Sequence, residues 1–227
     1  HLSSLPPDDG RFLLDSVKNF LNNTDIVFGN LEGTFLDKGG DPKICNTPDN
    51  CYSFRTPENY CGILKNAGFN LVSLANNHSN DMGEEGREST IRTLKKNKIE
   101  FAGYSDIPSV IFEKDKIKYG FTAFAPNYSA QDINDLANAV KTVKDWMLRH
   151  PGAMDRVIFI TYSVDGASRL ARVAPEAMIY TTITSVRDLD TLERRGVDLS
   201  RIVAWLGDEE FSEDLVEALA RRGVESR

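Results

Sequence analysis

The sequence predicts an α/β fold, with a mostly parallel sheet and flanking helices. Two short apolar runs, residues 25–29 and 69–75, are bounded by Gly or Asn, which is typical of strands covered on both faces. Beyond residue 150, strand and helix patterns alternate with a period of about 22 residues, as they do in βα repeats. Alternation along the whole chain favours parallel strands joined by helices.

The first half of the chain carries helix start and stop signals between its strands. Thr56 is placed to cap a helix whose first turn holds Pro57, and Gly68 is placed to end it. Four further elements are predicted up to residue 149, namely a helix, the two strands of an antiparallel hairpin, and a long helix: residues 83–97, 109–112 with 117–124, and 132–149.

The second half is more regular. Its predicted elements alternate strictly, with strands over residues 156–162, 178–183 and 202–206 and helices over residues 166–173, 185–195 and 211–222. This spacing is typical of barrel repeats and of doubly wound sheets. A further strand is expected to begin at Val224, and a repeat that breaks off at a strand start indicates truncation.

The overall charge excludes some classes of partner. The net charge is -7, the pI is near 5.1, and no run of Lys or Arg occurs. Nucleic acid and anionic membrane surfaces are therefore poor partners. No apolar stretch is long enough to span a bilayer, so we expect no membrane span.

The distribution of Lys and Asn changes abruptly near residue 145. Residues 1–145 hold 12 Lys and 16 Asn, whereas residues 146–227 hold neither and carry 11 of the 15 Arg. The simplest interpretation is two segments, 1–145 and 146–227, that come from coding sources of different base composition. The alternative is a natural single domain that segregates its Lys and Asn.

Two polar motifs follow the two predicted strands of the first segment. Asn30 and Glu32 follow one strand, and Asn77 and His78 follow the other. Ligand sites of open α/β sheets lie at such strand ends. A carboxylate, amides and an imidazole there could hold a divalent cation and supply a proton donor. The alternative is that the asparagines cap the next helix while Glu32 is solvated.

The amino-acid sequence of these motifs resembles that of a known family. The run NLEG, followed by the stretch from SFRTPENY through SLANNHSNDMG to EFAGYS, resembles the CapA family of poly-γ-glutamate capsule-synthesis proteins. The resemblance covers residues 1 to about 144 and implies a metallophosphatase-like fold. It also implies a metal ligand at Asn77, an acid at His78, and a second metal-binding strand end at Glu32 with Asn30. The implied cofactor is a divalent metal (Mn, Mg, Ca or Zn), and the implied substrate is a small-molecule or polymeric phosphoester or glutamyl compound.

The segment departs from the pattern of that family in two ways. The family opens with a strand ending in Gly-Asp, whose Asp is a metal ligand, and this chain starts after that point. The family also has His-rich strand ends later in the chain, whereas the other histidines here are His1 and His150. A two-metal site needs ligands from several strand ends, so we expect weak activity or none.

The second segment resembles a different family. Its pattern of strands and helices, from about Trp146 to Arg227, is similar to the C-terminal half of bacterial glycerophosphodiester phosphodiesterases, which are TIM barrels. The catalytic histidines and metal ligands of that family lie chiefly in the other half of the barrel. The resemblance therefore assigns no catalytic residue here, and we expect His150 to be structural.

Cysteine usage predicts one disulfide. Cys45 and Cys51 flank a short polar loop, which suggests a disulfide in an exported protein, whereas Cys61 falls inside a helix and is expected to be buried. The alternative is three free thiols. The resemblances imply an exported or cell-envelope parent for residues 1–145 and a cytoplasmic or periplasmic parent for residues 146–227, and they leave the location of this chain open.

Three functional interpretations stay open at this point. The first is a metallophosphatase-type hydrolase with a cation gathered by Glu32, Asn77 and His78, and the second is a glycerophosphodiester phosphodiesterase. The third is a recombined or engineered α/β chimera without activity. Sheet edges exposed where the parent folds were cut would favour self-association.

Overall fold

The computed structural model describes residues 6–44, 51–127, 129–132, 135–149, 156–206 and 213–226. These residues form both helices and strands, and the strands are mostly parallel, so the predicted α/β class is confirmed. The chain divides into two compact units, His1–Ala139 and Val140–Arg227. The division falls six residues before the predicted join at 145/146.

The first unit is built on a three-stranded parallel sheet. Its strands and helices, in chain order, are α1 (Asp15–Leu21), β1 (Phe28–Asn30), β2 (Thr34–Phe35), β3 (Arg55–Thr56), α2 (Tyr60–Ala67), β4 (Leu71–Ser73), α3 (Gly83–Lys96), β5 (Glu100–Ala102), β6 (Ser109–Lys114), β7 (Ile117–Thr122) and α4 (Leu136–Arg149), which continues into the second unit. The sheet order is β1-β4-β5, and β2 pairs with β3 in parallel.

The core of this unit lies between the sheet and helices α2 and α3. It contains the side chains of Phe35, Tyr60, Cys61, Val72, Leu74, Leu94, Ile99, Phe101 and Tyr104. Gly68 ends α2 with a φ of 110°, a left-handed conformation that glycine adopts without a steric penalty. The predicted end of this helix is therefore confirmed.

The predicted start of α2 is wrong. Thr56 was expected to cap the helix, but it lies in β3, where its carbonyl accepts a hydrogen bond from the backbone of Leu36 (2.9 Å). The helix begins four residues later, at Tyr60, after a turn in which the backbone N–H of Tyr60 donates to the Pro57 carbonyl. Strand pairing holds the backbone of Thr56 extended, and a short β2–β3 pair of this kind leaves little signal in the sequence.

The hairpin formed by β6 and β7 was predicted correctly. The strands pair antiparallel, and the turn residues Asp115 and Lys116 both have positive φ, 51° and 67°. Positive φ at both central positions is the geometry that the right-handed twist of a two-residue hairpin demands.

The described residues of the second unit form four parallel strands that pair in the order in which they occur along the chain. After the end of α4, its elements are β8 (Ile158–Thr161), α5 (Val164–Val173), β9 (Met178–Thr182), α6 (Val186–Arg194), β10 (Ile202–Trp205), α7 (Glu213–Arg221) and β11 (Glu225–Ser226). Buried residues of α5, α6 and α7 share one cluster with Ile179, Ile202 and Ala204, so these helices pack on the same face of the sheet. Strands β8 and β11 are its edges, and the self-association predicted through such edges stays a prediction.

Two of the three cysteines lie in described residues. Cys61 is free and fully buried, as predicted, and Cys51 is disulfide-bonded. Cys45, the partner that the sequence predicts for Cys51, lies outside the described residues, as does His150. Among the helices that the structure describes, none combines the length and the apolar character needed to cross a membrane.

Candidate functional site

The two polar motifs lie side by side at one edge of the sheet. Strands β1 and β4 pair in parallel with Asn30 opposite Ser73, so the loops that follow the two strands leave the sheet at the same end. The backbone N–H of Leu31 donates to the Ser73 carbonyl (3.0 Å), which extends the pairing one residue beyond β1. This arrangement brings residues 30–32 next to residues 76–78.

Asn76 joins the two loops through its side chain. Its amide nitrogen donates to Oδ1 of Asn30 (3.0 Å) and to the Leu31 carbonyl (2.9 Å), and its Oδ1 accepts from the backbone N–H of His78 (2.9 Å). The residue is only 6% exposed, and both hydrogens of its amide are used. Asn76 is therefore the structural link that fixes the backbone on which His78 is placed.

Strand β5 supports the same loop from the other side. Gly103 has a φ of 128°, and a Cβ at this position would lie 2.4 Å from the backbone nitrogen of Ala75, so only glycine permits the close approach. Next to it, the Tyr104 hydroxyl donates to the Ser79 carbonyl (2.9 Å). Burial raises the pKa of Tyr104 well above its usual value, which keeps this hydroxyl protonated as a donor.

The imidazole of His78 is held by Asp81. Nδ1 of His78 lies 2.8 Å from Oδ2 of Asp81, a carboxylate whose side chain has no exposed surface. The backbone N–H of Phe54 donates to the same oxygen (2.6 Å), and the ring of Phe54 lies against the imidazole, with 4.4 Å between the centroids. His78 itself keeps 12% of its side-chain surface exposed. Its ring is thus fixed in position but open to a ligand.

Lys43 supplies a positive charge to this pair. Its Nζ lies 2.5 Å from Oδ1 of Asp81, an ion pair without the alignment of a hydrogen bond, and 3.0 Å from Nδ1 of His78. Nζ also lies 3.4 Å from the Asn77 carbonyl, and the backbone N–H of Lys43 donates to the Asp81 carbonyl (2.9 Å). The buried carboxylate therefore has a cation beside it, which offsets the cost of burying its charge.

This arrangement leaves the Nε2 edge of the His78 imidazole available for proton transfer. Asp81 and Lys43 both approach Nδ1, and no described residue forms a hydrogen bond with Nε2 of His78. A histidine whose Nδ1 is held by a carboxylate can accept or donate a proton at Nε2 in a defined direction. The site can therefore transfer a proton to or from a bound molecule.

The predicted metal-ligand residues differ in whether hydrogen bonds connect them to His78. Asn30, Glu32 and Asn77 are all exposed. The amide nitrogen of Asn30 donates to Oε1 of Glu32 (3.0 Å), so these two side chains and Asn76 form one network with the backbone of His78. The side chain of Asn77 forms no hydrogen bond with a described residue. The structure thus groups Asn30, Glu32 and His78 around Asn76 and leaves the Asn77 amide open to solvent.

The donors available to a cation are mainly oxygen atoms. In the described part of the chain, no group of three or more His, Cys, Asp or Glu side chains is placed to share a metal ion. Asn30, Glu32 and Asn77 offer amide and carboxylate oxygens, and His78 offers Nε2. A set of this chemistry fits Mg²⁺, Mn²⁺ or Ca²⁺ better than Zn²⁺. These residues stay a predicted ligand set.

A match to a protein-family model shows the family of the chain. The model described as "Bacterial capsule synthesis protein PGA_cap" matches residues 3–199. The chain belongs to this family. The matched range crosses the predicted join at 145/146, so the PGA_cap likeness is not confined to the first segment. The resemblance of residues 146–227 to glycerophosphodiester phosphodiesterases has no support from the comparisons.

A curated relative agrees with the PGA_cap assignment. "Capsule biosynthesis protein CapA" of Bacillus anthracis is 28% identical over 106 residues, which make up 45% of this chain and 25% of the relative. The aligned part therefore spans about a quarter of the length of that protein. The resemblance to CapA-type proteins that the ANNH motif indicates is confirmed at the level of the family.

The sequence patterns did not indicate two residues of this candidate site. Asp81 lies three residues after His78 in the same motif, and its spacing on the turn before α3 could have identified it as the partner of Nδ1. Lys43 comes from a segment 35 residues before His78, and no local pattern links the two. Only the folded chain brings its ammonium group to the buried carboxylate.

Proposed function

We propose that this chain acts in the synthesis of a bacterial capsule polymer, as a metallophosphatase-type hydrolase of low activity. Its substrate would be a phosphoester or glutamyl compound. The family match and the relative of Bacillus anthracis support the capsule context. The observation that carries the chemistry is the 2.8 Å contact between Nδ1 of His78 and the buried carboxylate of Asp81.

In this proposal His78 moves the proton. Asp81 fixes the ring through Nδ1, and the ring of Phe54 shields one side of it from water. Nε2 of His78 then faces the leaving or attacking oxygen of the substrate. Asn76 and Gly103 contribute by holding the loop, because neither has a polar group left for a ligand.

We include a divalent cation in the proposal. Glu32, Asn30 and Asn77 would hold it through their oxygen atoms, next to His78. A bound cation would polarise the ester or amide oxygen under attack. The small number of acidic donors among the described residues is consistent with weak binding and therefore with low activity.

Steady-state hydrolysis by the purified chain tests the proposal. The probes are bis(p-nitrophenyl) phosphate for phosphoesters and γ-glutamyl-p-nitroanilide for glutamyl compounds, each with Mn²⁺, Mg²⁺, Ca²⁺ or Zn²⁺. We expect slow turnover of one probe, with a kcat at least about a hundredfold lower in His78→Gln, since general acid–base catalysis supplies about 10²–10⁴-fold.

A matched control separates the site from general effects. Asn97 is a polar residue at the end of α3 whose side chain bonds only to the Thr93 carbonyl (2.9 Å) in the described residues, and Asn97→Ala should keep the wild-type rate. Equal rates in wild-type protein and His78→Gln would contradict the proposal. Turnover of neither probe with any metal would also contradict it, and would favour an inactive chain.

A further inference from the structure

An exposed aromatic surface continues from the imidazole of His78. The ring of Phe54 packs against His78, with 4.4 Å between the centroids, and the ring of Tyr52 stacks beside Phe54, with 6.4 Å between the centroids and 18° between the planes. Both residues are exposed, Tyr52 by 64% and Phe54 by 41%. Single exposed apolar side chains are common on protein surfaces, whereas a row of rings that ends on the candidate catalytic histidine indicates a binding surface.

The backbone holds these rings in place. The N–H of Phe54 donates to Oδ2 of Asp81 (2.6 Å), and its carbonyl accepts from the backbone N–H (3.3 Å) and the hydroxyl (3.2 Å) of Thr34. Strand β3 begins at the next residue, and Cys51, just before Tyr52, is disulfide-bonded. The segment that carries both rings is therefore restrained at each end, so a ligand that packs on it orders little further structure.

Gly33 brings the loop of Glu32 against the same rings. A Cβ on Gly33 would lie 2.9 Å from Cβ of Phe54, and the φ of 127° at Gly33 is one that other residues rarely adopt. The residue that follows the predicted metal ligand Glu32 is therefore in close contact with Phe54. The rings adjoin both this loop and His78, so a molecule bound at the site can extend over them.

The chemistry of the rings distinguishes the two proposed substrate classes. The face of an aromatic ring is apolar and carries partial negative charge, so it attracts other rings and repels carboxylates. A γ-glutamyl chain has a carboxylate on every residue and is therefore a poor ligand for this surface. A phosphoester can place its phosphate beside His78 while an aromatic ring of its alcohol part stacks on Phe54 and Tyr52, as nucleobases stack on aromatic side chains.

We propose that Tyr52 and Phe54 are a stacking surface for the aromatic ring of a phosphoester substrate, whose alcohol part is a nucleoside or another aromatic compound. The two residues determine specificity: they bind the ring and take no part in proton transfer. Esters with an aromatic ring then bind more tightly than esters without one. This inference rests on the proposed function, because it names the substrate class of that site.

Isothermal titration calorimetry in the presence of Mn²⁺ tests the surface without a turnover assay. AMP carries a nucleobase, phenyl phosphate carries a phenyl ring, and ribose 5-phosphate carries no aromatic ring. We expect AMP to bind about tenfold or more tightly than ribose 5-phosphate, since stacking of one base on an aromatic side chain contributes about this factor. Phenyl phosphate that binds like AMP would extend the substrate class to aromatic phosphoesters in general, and phenyl phosphate that binds like ribose 5-phosphate would restrict it to nucleosides. Equal affinity for AMP and ribose 5-phosphate would overturn the inference.

Tyr52→Ala identifies the ring as the cause of the difference. The ring of Tyr52 stacks on Phe54 and is largely exposed, so its removal leaves the hydrogen bonds of the His78–Asp81 pair in place. We expect the affinity for AMP to fall about tenfold and the affinity for ribose 5-phosphate to stay the same. Tyr52→Trp keeps a flat ring and should keep the preference for AMP. A wild-type affinity for AMP in Tyr52→Ala would contradict the proposal.

Phe20 provides a matched control. It is an exposed aromatic residue (76%) in α1, whose last residue, Leu21, lies against Gly68 before β4 begins, whereas His78 follows the end of β4. Phe20→Ala should therefore bind all three ligands like the wild type. Weaker binding of AMP in Phe20→Ala, equal to that in Tyr52→Ala, would show that loss of any exposed ring has this effect and would overturn the inference.

Kinetics with bis(p-nitrophenyl) phosphate separate this inference from the proposed function. We expect KM to rise about tenfold in Tyr52→Ala with a smaller change in kcat, because stacking stabilises the bound substrate and the transition state alike. Binding of AMP that depends on Tyr52, in a chain without hydrolytic activity, would support the inference and remove the proposed function. Hydrolysis that depends on His78, with the same KM in the wild type and Tyr52→Ala, would do the reverse.

Discussion

Replacing Asp81 by Asn should destabilise the first unit far more than the same replacement at an exposed aspartate. Asp81 is fully buried and contacts the backbone N–H of Phe54, Nδ1 of His78 and the ammonium of Lys43. An asparagine keeps one acceptor oxygen but places an NH₂ group where the other oxygen was. At least one donor then faces another donor, and Lys43 loses its counter-charge.

The expected loss in the free energy of unfolding follows from the burial of Asp81 and Lys43. Removing one member of a buried ion pair costs about 3–5 kcal/mol. Lys43 is 26% exposed and can turn partly to water, so the low end applies, and we expect about 3 kcal/mol for Asp81→Asn. Asp106 forms an ion pair with Arg87 at the surface, where its own side chain is 64% exposed. Such pairs contribute about 0–1 kcal/mol, and Asp106→Asn should cost no more than that.

Urea unfolding followed by far-UV circular dichroism measures both variants. With a slope of about 2 kcal/mol per molar urea, 3 kcal/mol lowers the midpoint by about 1.5 M, against at most about 0.5 M for the exposed control. Midpoints that move equally for Asp81→Asn and Asp106→Asn would refute the argument, because burial of the charge would then make no difference.

Three further predictions concern other parts of the chain. Burial raises the pKa of Cys61 to about 11, so iodoacetamide at neutral pH should label this thiol only after unfolding; mass spectrometry showing labelling of the native protein would contradict this. Burial of Asp188 is outweighed by hydrogen bonds from Thr184 and Ser185, which hold its pKa below the usual value. Asp188 lies in the first turn of α6 and forms a capping box with Ser185. Asp188→Ala should therefore lower the free energy of unfolding by about 1 kcal/mol at pH 7, and the difference should vanish as the pH falls through that lowered pKa; a difference that persists in strong acid would count against the capping role. Mn²⁺ at ten times its dissociation constant should raise stability by about 1.4 kcal/mol in a thermal melt, and Glu32→Gln should remove the gain; an equal gain in both proteins would exclude Glu32 as a ligand.

Elements with a strong local pattern could be predicted from the sequence. The hairpin of β6 and β7 was predicted because a charged turn separates two β-rich runs, and the end of α2 because Gly68 is the residue that a left-handed helix end requires. The β2–β3 pair has two residues in each strand, too few for a period to be visible. Non-local pairing at Thr56 therefore overrode a good capping signal.

In the candidate site, too, only the residues with a local signal in the sequence could be predicted. His78 and Asn30 were singled out because they follow buried strands, and the structure places both in one network. Of the two adjacent asparagines, the sequence could not tell that Asn76 points inward and Asn77 outward, since both follow the same strand end. Lys43 could not be predicted, because its partner Asp81 is 38 residues away and the contact exists only in the folded chain.

The family match does not stop at the change in composition near residue 145. The absence of Lys and Asn after residue 145 suggested two unrelated sources, and the structure divides the chain at residues 139/140. The PGA_cap match nevertheless continues to residue 199. Codon bias can change the choice between Lys and Arg on a solvated surface without changing the fold, so composition is a weak guide to ancestry.

The most direct test of the central claim is to follow the imidazole signals of His78 while ligands are added. Inorganic phosphate and γ-glutamylglutamate represent the two proposed substrate classes, each with and without Mn²⁺. We predict a saturable shift of the His78 signals with one of these two ligands, and a weaker shift in Glu32→Gln. Signals that stay unchanged with both ligands up to millimolar concentrations would contradict the assignment of this strand-end site as the functional site of the chain.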